Sequence, residues 1–160
     1  MDVKTAFLYG KINAEIYVKL LPGFEIKGKV CKLKKALYGL KQAPRIWYQT
    51  LTTALRDLGY EPCPYNHTVF KKGSTLILAY VDNLLIAGPN LEQINQLKAD
   101  LQKRFQIKDI GECKFFLRIG IERSEGKIRL TQTALFKAMM EKFGLADANP
   151  TATPYVSKDR

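Results

Sequence analysis

Apolar positions along the 160-residue chain recur with two periods, near two and near 3.6, and the switches between them predict its elements. Val3–Tyr9 predicts a strand, and the chain begins inside it. Short strands follow at Glu15-Ile16-Tyr17-Val18 and Lys29-Val30-Cys31-Lys32-Leu33, separated by a turn at Pro22-Gly23. A further turn lies at Tyr38-Gly39. Pro44 then opens a helix, where its missing N–H is harmless. Trp47, Leu51, Ala54, Leu55 and Leu58 fall on one face of that helix, and Gly59 stops it. A meander comes next: Thr68-Val69-Phe70, a turn at Lys72-Gly73, Leu76–Val81, a turn at Asp82-Asn83, and Leu84–Ala87. Pro89-Asn90 caps a second helix with Leu91, Ile94, Leu97, Leu101 and Phe105 inward. Phe115–Arg123 and Lys127–Thr131 form a hairpin around Ser124-Glu125-Gly126. Thr131 caps a third helix that turns Leu135, Met139 and Phe143 inward and ends at Gly144. From Ala146 the tail, with Pro150 and Pro154, reads as a linker. The sum is an α+β fold, an antiparallel sheet with helices packed on one face.

Composition narrows the class. Hydrophobic residues at 46% and charged residues at 26% suit a globular chain with a real core, not a disordered one. No apolar run reaches the roughly 18 residues of a membrane span, so no membrane partner is expected, and the N-terminus carries no secretory pattern. Cysteines at 31, 63 and 113 are odd in number and scattered, which argues for a reducing, intracellular compartment. Cys63 and His67 have the spacing of half a zinc site, but His67 is the only histidine and no second pair exists. A buried thiol and a loop imidazole is the reading that remains.

Charge adds a partner. The net charge is +11, and residues 1–45 hold ten of the cations against Asp2, Glu15 and Glu25, so +7 of it sits there. Such a surface suits a polyanion whose phosphates release counterions on binding; a solvated basic face is the ordinary alternative.

One carboxylate stands out. Asp82 sits at the tip of a turn between two strongly apolar strands, and Asp2 opens another. Taken alone, Asp82 reads as a turn residue. If the two strands lie side by side, the carboxylates can converge, and converging carboxylates can bind a pair of Mg²⁺ ions. Spacing in the sequence does not bring them together.

Longer stretches carry a resemblance. Met1-Asp2-Val3-Lys4-Thr5-Ala6-Phe7-Leu8 resembles the first catalytic motif of copia-type LTR-retrotransposon reverse transcriptases. Val30-Cys31-Lys32-Leu33-Lys34-Lys35-Ala36-Leu37-Tyr38-Gly39-Leu40-Lys41-Gln42-Ala43-Pro44-Arg45-Ile46-Trp47-Tyr48 resembles that family's template- and nucleotide-binding motif almost residue for residue. Tyr80-Val81-Asp82-Asn83 is similar to its catalytic hairpin, which in the family ends in two aspartates. Phe116–Ile121 and the hairpin to Gln132 resemble its primer grip. One motif is weak evidence; four in order are strong.

The resemblance implies a right-hand polymerase palm over residues 1–112, incomplete at its N-terminus. A primer-grip hairpin and first thumb helix follow over 113–145, and a linker tail over 146–160. It implies RNA-directed DNA polymerase chemistry on an RNA or DNA template–primer, with deoxynucleoside triphosphates and Mg²⁺ or Mn²⁺. Asp2 and Asp82 take the metal-ligand roles, and Asn83 stands at the degenerate catalytic position. Phe7 takes the place of a ring against the sugar 2′ position, with a core aromatic as its ordinary alternative. Tyr38, Gly39, Gln42 and Tyr80 line the nucleotide and template pocket; Lys41 and Arg45 are candidates for phosphate contacts or plain solvated charges.

Two departures bear on activity. Asn83 carries no charge where the family has a second aspartate, which weakens binding of divalent ions. The family's fingers lie upstream of the first motif, and its RNase H region downstream, so other polyprotein segments are expected partners. The chain is therefore expected to be a reverse transcriptase domain that is inactive alone, or a non-catalytic relic that binds nucleic acid. A basic RNA-binding module with no polymerase ancestry is a third reading, and it predicts that Asp2 and Asp82 do not cluster.

Overall fold

The protein is described by a computed structural model over residues 1–150. It divides into two compact units, Met1–Gly111 and a second that starts at Glu112.

The first unit is built on a six-stranded antiparallel sheet. Its strands are β1 (Asp2–Val3), β4 (Glu61–Cys63), β5 (Asn66–Lys72), β6 (Thr75–Tyr80), β7 (Asn83–Ala87) and β8 (Ile107–Lys108), in the order β4-β5-β6-β7-β1-β8. Alternation along β6 sorts the two faces: Thr75, Ile77 and Ala79 are buried, whereas Leu76 and Tyr80 are exposed. Helices α1 (Ala43–Asp57) and α2 (Leu91–Arg104) cover the buried face. Trp47, Leu51, Ala54 and Leu55 of α1 join Leu97 and Leu101 of α2 in one core with Val3, Phe70, Ile77, Leu84 and Ile107. Each large side chain buried there contributes about 1.5–3 kcal/mol.

Both helices begin and end where the local chemistry directs. Pro44 lies in the first turn of α1, and Gly59, at φ 83°, lets the chain leave it. The Asn90 side chain accepts from the Gln93 N–H at the start of α2, and Lys103 and Arg104 sit at its negative end. Leu91 is 69% exposed rather than inward, because at the first position of α2 it lies beyond the reach of the sheet.

The opening segment differs from its expected form. The strand stops at Val3, and Ala6–Tyr9 form a 3-10 turn. Thr5, at φ 51°, reverses the chain, and the turn drives Ala6 and Phe7 into the core. Gly10 follows at an ordinary φ, but its Cα is so close to Ile46 of α1 that a Cβ there would collide with that side chain. The meander turns are each displaced by one residue: Lys72 pairs with Thr75 and Tyr80 with Asn83, which leaves Gly73-Ser74 and Val81-Asp82 at the tips. Of the strands between, only Tyr17–Val18 (β2) and Cys31–Lys32 (β3) pair, as a short ladder.

The second unit holds β9 (Phe115–Phe116), β10 (Ile119–Ser124), β11 (Lys127–Thr131) and α3 (Thr133–Lys142). Phe115–Arg123 is not one strand. Leu117 and Arg118 both take positive φ, 51° and 67°, and form a tight hairpin between β9 and β10. Glu125-Gly126, at φ 48° and 74°, turns β10 into β11 in the same way. Thr131 closes β11 opposite Gly120, so it does not cap α3; Gln132 occupies that position without a side-chain bond. No residue of α3 is buried, and Met139 and Phe143 are 46% and 65% exposed, against the inward face the periodicity predicts. The strands' apolar side chains Phe115, Ile128 and Leu130 are exposed as well. Pro154 and the rest of the expected linker beyond residue 150 lie outside the described residues. No described helix is long and apolar enough to cross a membrane.

Gly10→Ala should destabilise the chain by about 1–3 kcal/mol through overpacking against Ile46. A lower urea midpoint at unchanged slope checks it.

Candidate active site

Backbone pairing sets Asp2 beside the hairpin that carries Asp82. β1 lies between β7 and β8, so Asp2 stands opposite Asn83 on one side and Lys108 on the other. The Val3 N–H donates to the Asp82 carbonyl at 2.8 Å, and the Leu84 N–H to the Met1 carbonyl at 2.9 Å. Directly opposed residues share a face. Lys108, Asp2, Asn83 and Tyr80 therefore form a row on the sheet face away from the helices. Asp2 thus stands across the ladder from the residue that follows Asp82.

The hairpin tip is strained and held. Val81, a β-branched residue, takes φ 53°, a region that costs an L-residue about 1–2 kcal/mol. Its carbonyl accepts a hydrogen bond from Trp47 Nε1 at 2.5 Å. Trp47 is buried, with Phe105 edge-on at 5.3 Å between centroids and Tyr9 at 6.1 Å. Helix α1 thus positions the turn that carries Asp82.

Both oxygens of the Asp82 carboxylate meet protein donors. Asn83 Nδ2 donates to Oδ1 at 3.0 Å, and the Tyr38 hydroxyl reaches Oδ2 at 3.4 Å. A carboxylate only accepts, so the amide turns its NH₂ toward it. Burial, then the Asp82 charge, the bond to it and the Asp2 charge raise the Tyr38 phenol above its usual pKa. The Tyr38 ring lies 4.4 Å from that of Phe7, centroid to centroid. Tyr38 is 57% exposed and Phe7 only 6%, so the tyrosine covers the phenylalanine.

Comparison with known proteins decides the family. The profile described as reverse transcriptase (RNA-dependent DNA polymerase) matches residues 1–157. The chain belongs to the reverse transcriptase family. It is 40% identical over 164 residues to the retrovirus-related Pol polyprotein from transposon TNT 1-94 of Nicotiana tabacum, covering 96% of this chain and 12% of that protein. To the Pol polyprotein from transposon RE1 of Arabidopsis thaliana it is 35% identical, covering 96% of this chain and 11% of that one. A transposon Ty1-DR1 Gag-Pol polyprotein of Saccharomyces cerevisiae is 28% identical over 89% of this chain and 8% of its own length. The reverse transcriptase chain thus spans about an eighth or less of these relatives. No solved structure matches it.

The remaining residues of this reverse transcriptase's motifs sit around the hairpin and at the start of α1. Gly39, at φ 91°, turns the chain after Tyr38; Gln42 precedes α1, and Arg45 lies exposed in its first turn beside the exposed Lys41. Tyr80 is 54% exposed beside Asn83. Two residues here escape sequence reasoning. Trp47 reads as a core aromatic, although a buried indole N–H seeks a partner and this is the only tryptophan. Lys108 gives no signal, since β8 is two residues long and its pairing with β1 is non-local.

Divalent ions fit this donor set poorly. No group of three or more His, Cys, Asp or Glu able to hold a metal occurs among the described residues. Asp2 has a neutral amide, Asn83, opposite it on one side and a lysine, Lys108, on the other.

Trp47→Phe keeps an aromatic core but strips the Val81 carbonyl of its donor, and should cost about 1–3 kcal/mol in urea unfolding. Val81→Gly relieves the positive φ and should instead leave stability unchanged or raise it by up to ~1 kcal/mol.

Proposed function

We propose that this chain is the palm and the beginning of the thumb of a retrotransposon polymerase, and that it holds template–primer without catalysing extension by itself. The observation that carries this reading is the pairing of β1 with the 82–84 hairpin, which lines up Asp2, Asn83 and Tyr80 on the sheet face away from the helices, beside the turn that holds Asp82.

The chain's own residues then divide the work. Tyr38, stacked on Phe7, presents its ring and phenol to the sugar of an incoming nucleotide, with Phe7 as the rigid support behind it. Gly39 and Gln42 lie along the nucleotide and template pocket. Lys41 and Arg45, at the positive end of α1, attract phosphate. Nucleotidyl transfer in the parent family relies on a pair of divalent ions. The donor set around Asp82 does not fit that pair, so no chemical step is assigned to this chain.

Charge supports the nucleic-acid reading independently of the hairpin. Of the ten cations in residues 1–45, only Lys32 is in an ion pair among the described residues, with Glu15. Lys11 and Lys35 stand directly opposite each other in an isolated antiparallel bridge. Like charges so placed repel by a few tenths of a kcal/mol to about 1 kcal/mol, a cost that a bound phosphate reverses.

Two outcomes test the proposal. A labelled RNA–DNA primer–template should bind with affinity that falls steeply with salt, and no primer extension should appear; extension by the unmodified chain, or absence of binding at low salt, contradicts it. Lys11→Glu should weaken that binding several-fold and flatten its salt slope by about 1–2. The same change should leave the melting temperature level or raise it, because it replaces a repulsive pair with an attractive one.

A further inference from the structure

We propose that Asn83 and Tyr38 form a latch on Asp82 that takes the place of divalent cations, so that this chain grips nucleic acid without them. The inference rests on the nucleic-acid reading above.

The geometry is specific to the hairpin. Asn83 follows Asp82 directly, yet its side chain turns back to donate to Oδ1 at 3.0 Å. Tyr38 comes from a different part of the chain to meet Oδ2 at 3.4 Å. A cation that binds Asp82 must displace or share these donors, and each carries a partly positive hydrogen where a metal would sit. An aspartate at residue 83 would act oppositely: two adjacent carboxylates repel, and only a cation between them relieves the repulsion. Asn83 removes both the demand for the ion and the charge that attracts it.

The neighbours reinforce this. Asp2, the second carboxylate, lies across the ladder from Lys108 and not from another acid. With Asn83 neutral, Lys108, Asp2 and the adjoining Asp82 sum to one net negative charge, where an aspartate at 83 would make it two. Such a cluster repels a phosphate backbone less than one with a third carboxylate does.

Three variants separate latch from charge. In Mn²⁺ titrations followed by calorimetry without nucleic acid, the unmodified chain should bind weakly. Asn83→Asp should bind about tenfold more tightly or better. Asn83→Ala and Tyr38→Phe, which remove a donor and add no charge, should each bind a few-fold more tightly than the unmodified chain. If these two match the unmodified chain, the latch is overturned and only the charge of residue 83 matters. If the unmodified chain already binds as Asn83→Asp does, the whole proposal is overturned. Fluorescence anisotropy with an RNA–DNA primer–template at constant ionic strength supplies the second readout. The unmodified chain should bind within about twofold in EDTA and in Mg²⁺, and a gain of tenfold with Mg²⁺ contradicts the inference. Loss of all binding in both buffers refutes the nucleic-acid reading instead, while the Mn²⁺ comparison still judges the latch. Far-UV spectra matching the unmodified chain confirm that each variant is folded.

Discussion

Everything in the first unit that bears on chemistry depends on the antiparallel pairing of a two-residue strand, Asp2–Val3, with the hairpin at Asp82–Leu84. Two backbone hydrogen bonds, Val3 N–H to Asp82 and Leu84 N–H to Met1, set its register. Because side chains alternate with a period of two, a slip of one residue would send Asp2 into the core and Val3 outward. The register is protected by what lies beneath: Val3, Leu84 and Ile107 are buried against the helices. Hydrophobic burial on one face therefore fixes the positions of polar groups on the other.

The same logic extends to the turn. Val81 holds an unfavourable backbone conformation, and the structure around it supplies the compensation through Trp47. Trp47 in turn is wedged by Tyr9 and Phe105, which come from the 3-10 turn and the end of α2. Three separate segments converge to present one carboxylate. Around it, neutral Asn83 and cationic Lys108 stand on either side of Asp2, and the first 45 residues carry ten cations.

Much of this fold was legible from the residues, and the failures have physical causes. α1 and α2 were readable because Pro44, Gly59 and Asn90 mark their ends with backbone chemistry that few other residues provide. The strands β5, β6 and β7 were readable from their apolar runs, yet both turns were misplaced by one. The rule that assigns turns to Asp, Asn and Gly does not foresee a valine at positive φ, which only the Trp47 bond makes tolerable. Leu117 and Arg118 hid a hairpin for the same reason. Val3–Tyr9 looked like a strand because burial of Ala6 and Phe7 beneath α1 is a tertiary demand. Of the site, Asp2, Asp82, Asn83, Phe7 and Tyr38 were all named from motif resemblance. Their juxtaposition, the Tyr38 bond to Asp82 and the place of Lys108 arise from non-local contacts that no spacing encodes.

Residue-resolved amide hydrogen exchange tests the central pairing most directly. If β1 is locked between β7 and β8, the Val3 and Leu84 amides exchange slowly, with protection approaching that of Ile77 in the middle of the sheet. Rapid exchange at Val3 and Leu84 beside a protected Ile77 would mean that the first strand is not docked, and that Asp2 does not belong to the hairpin's site.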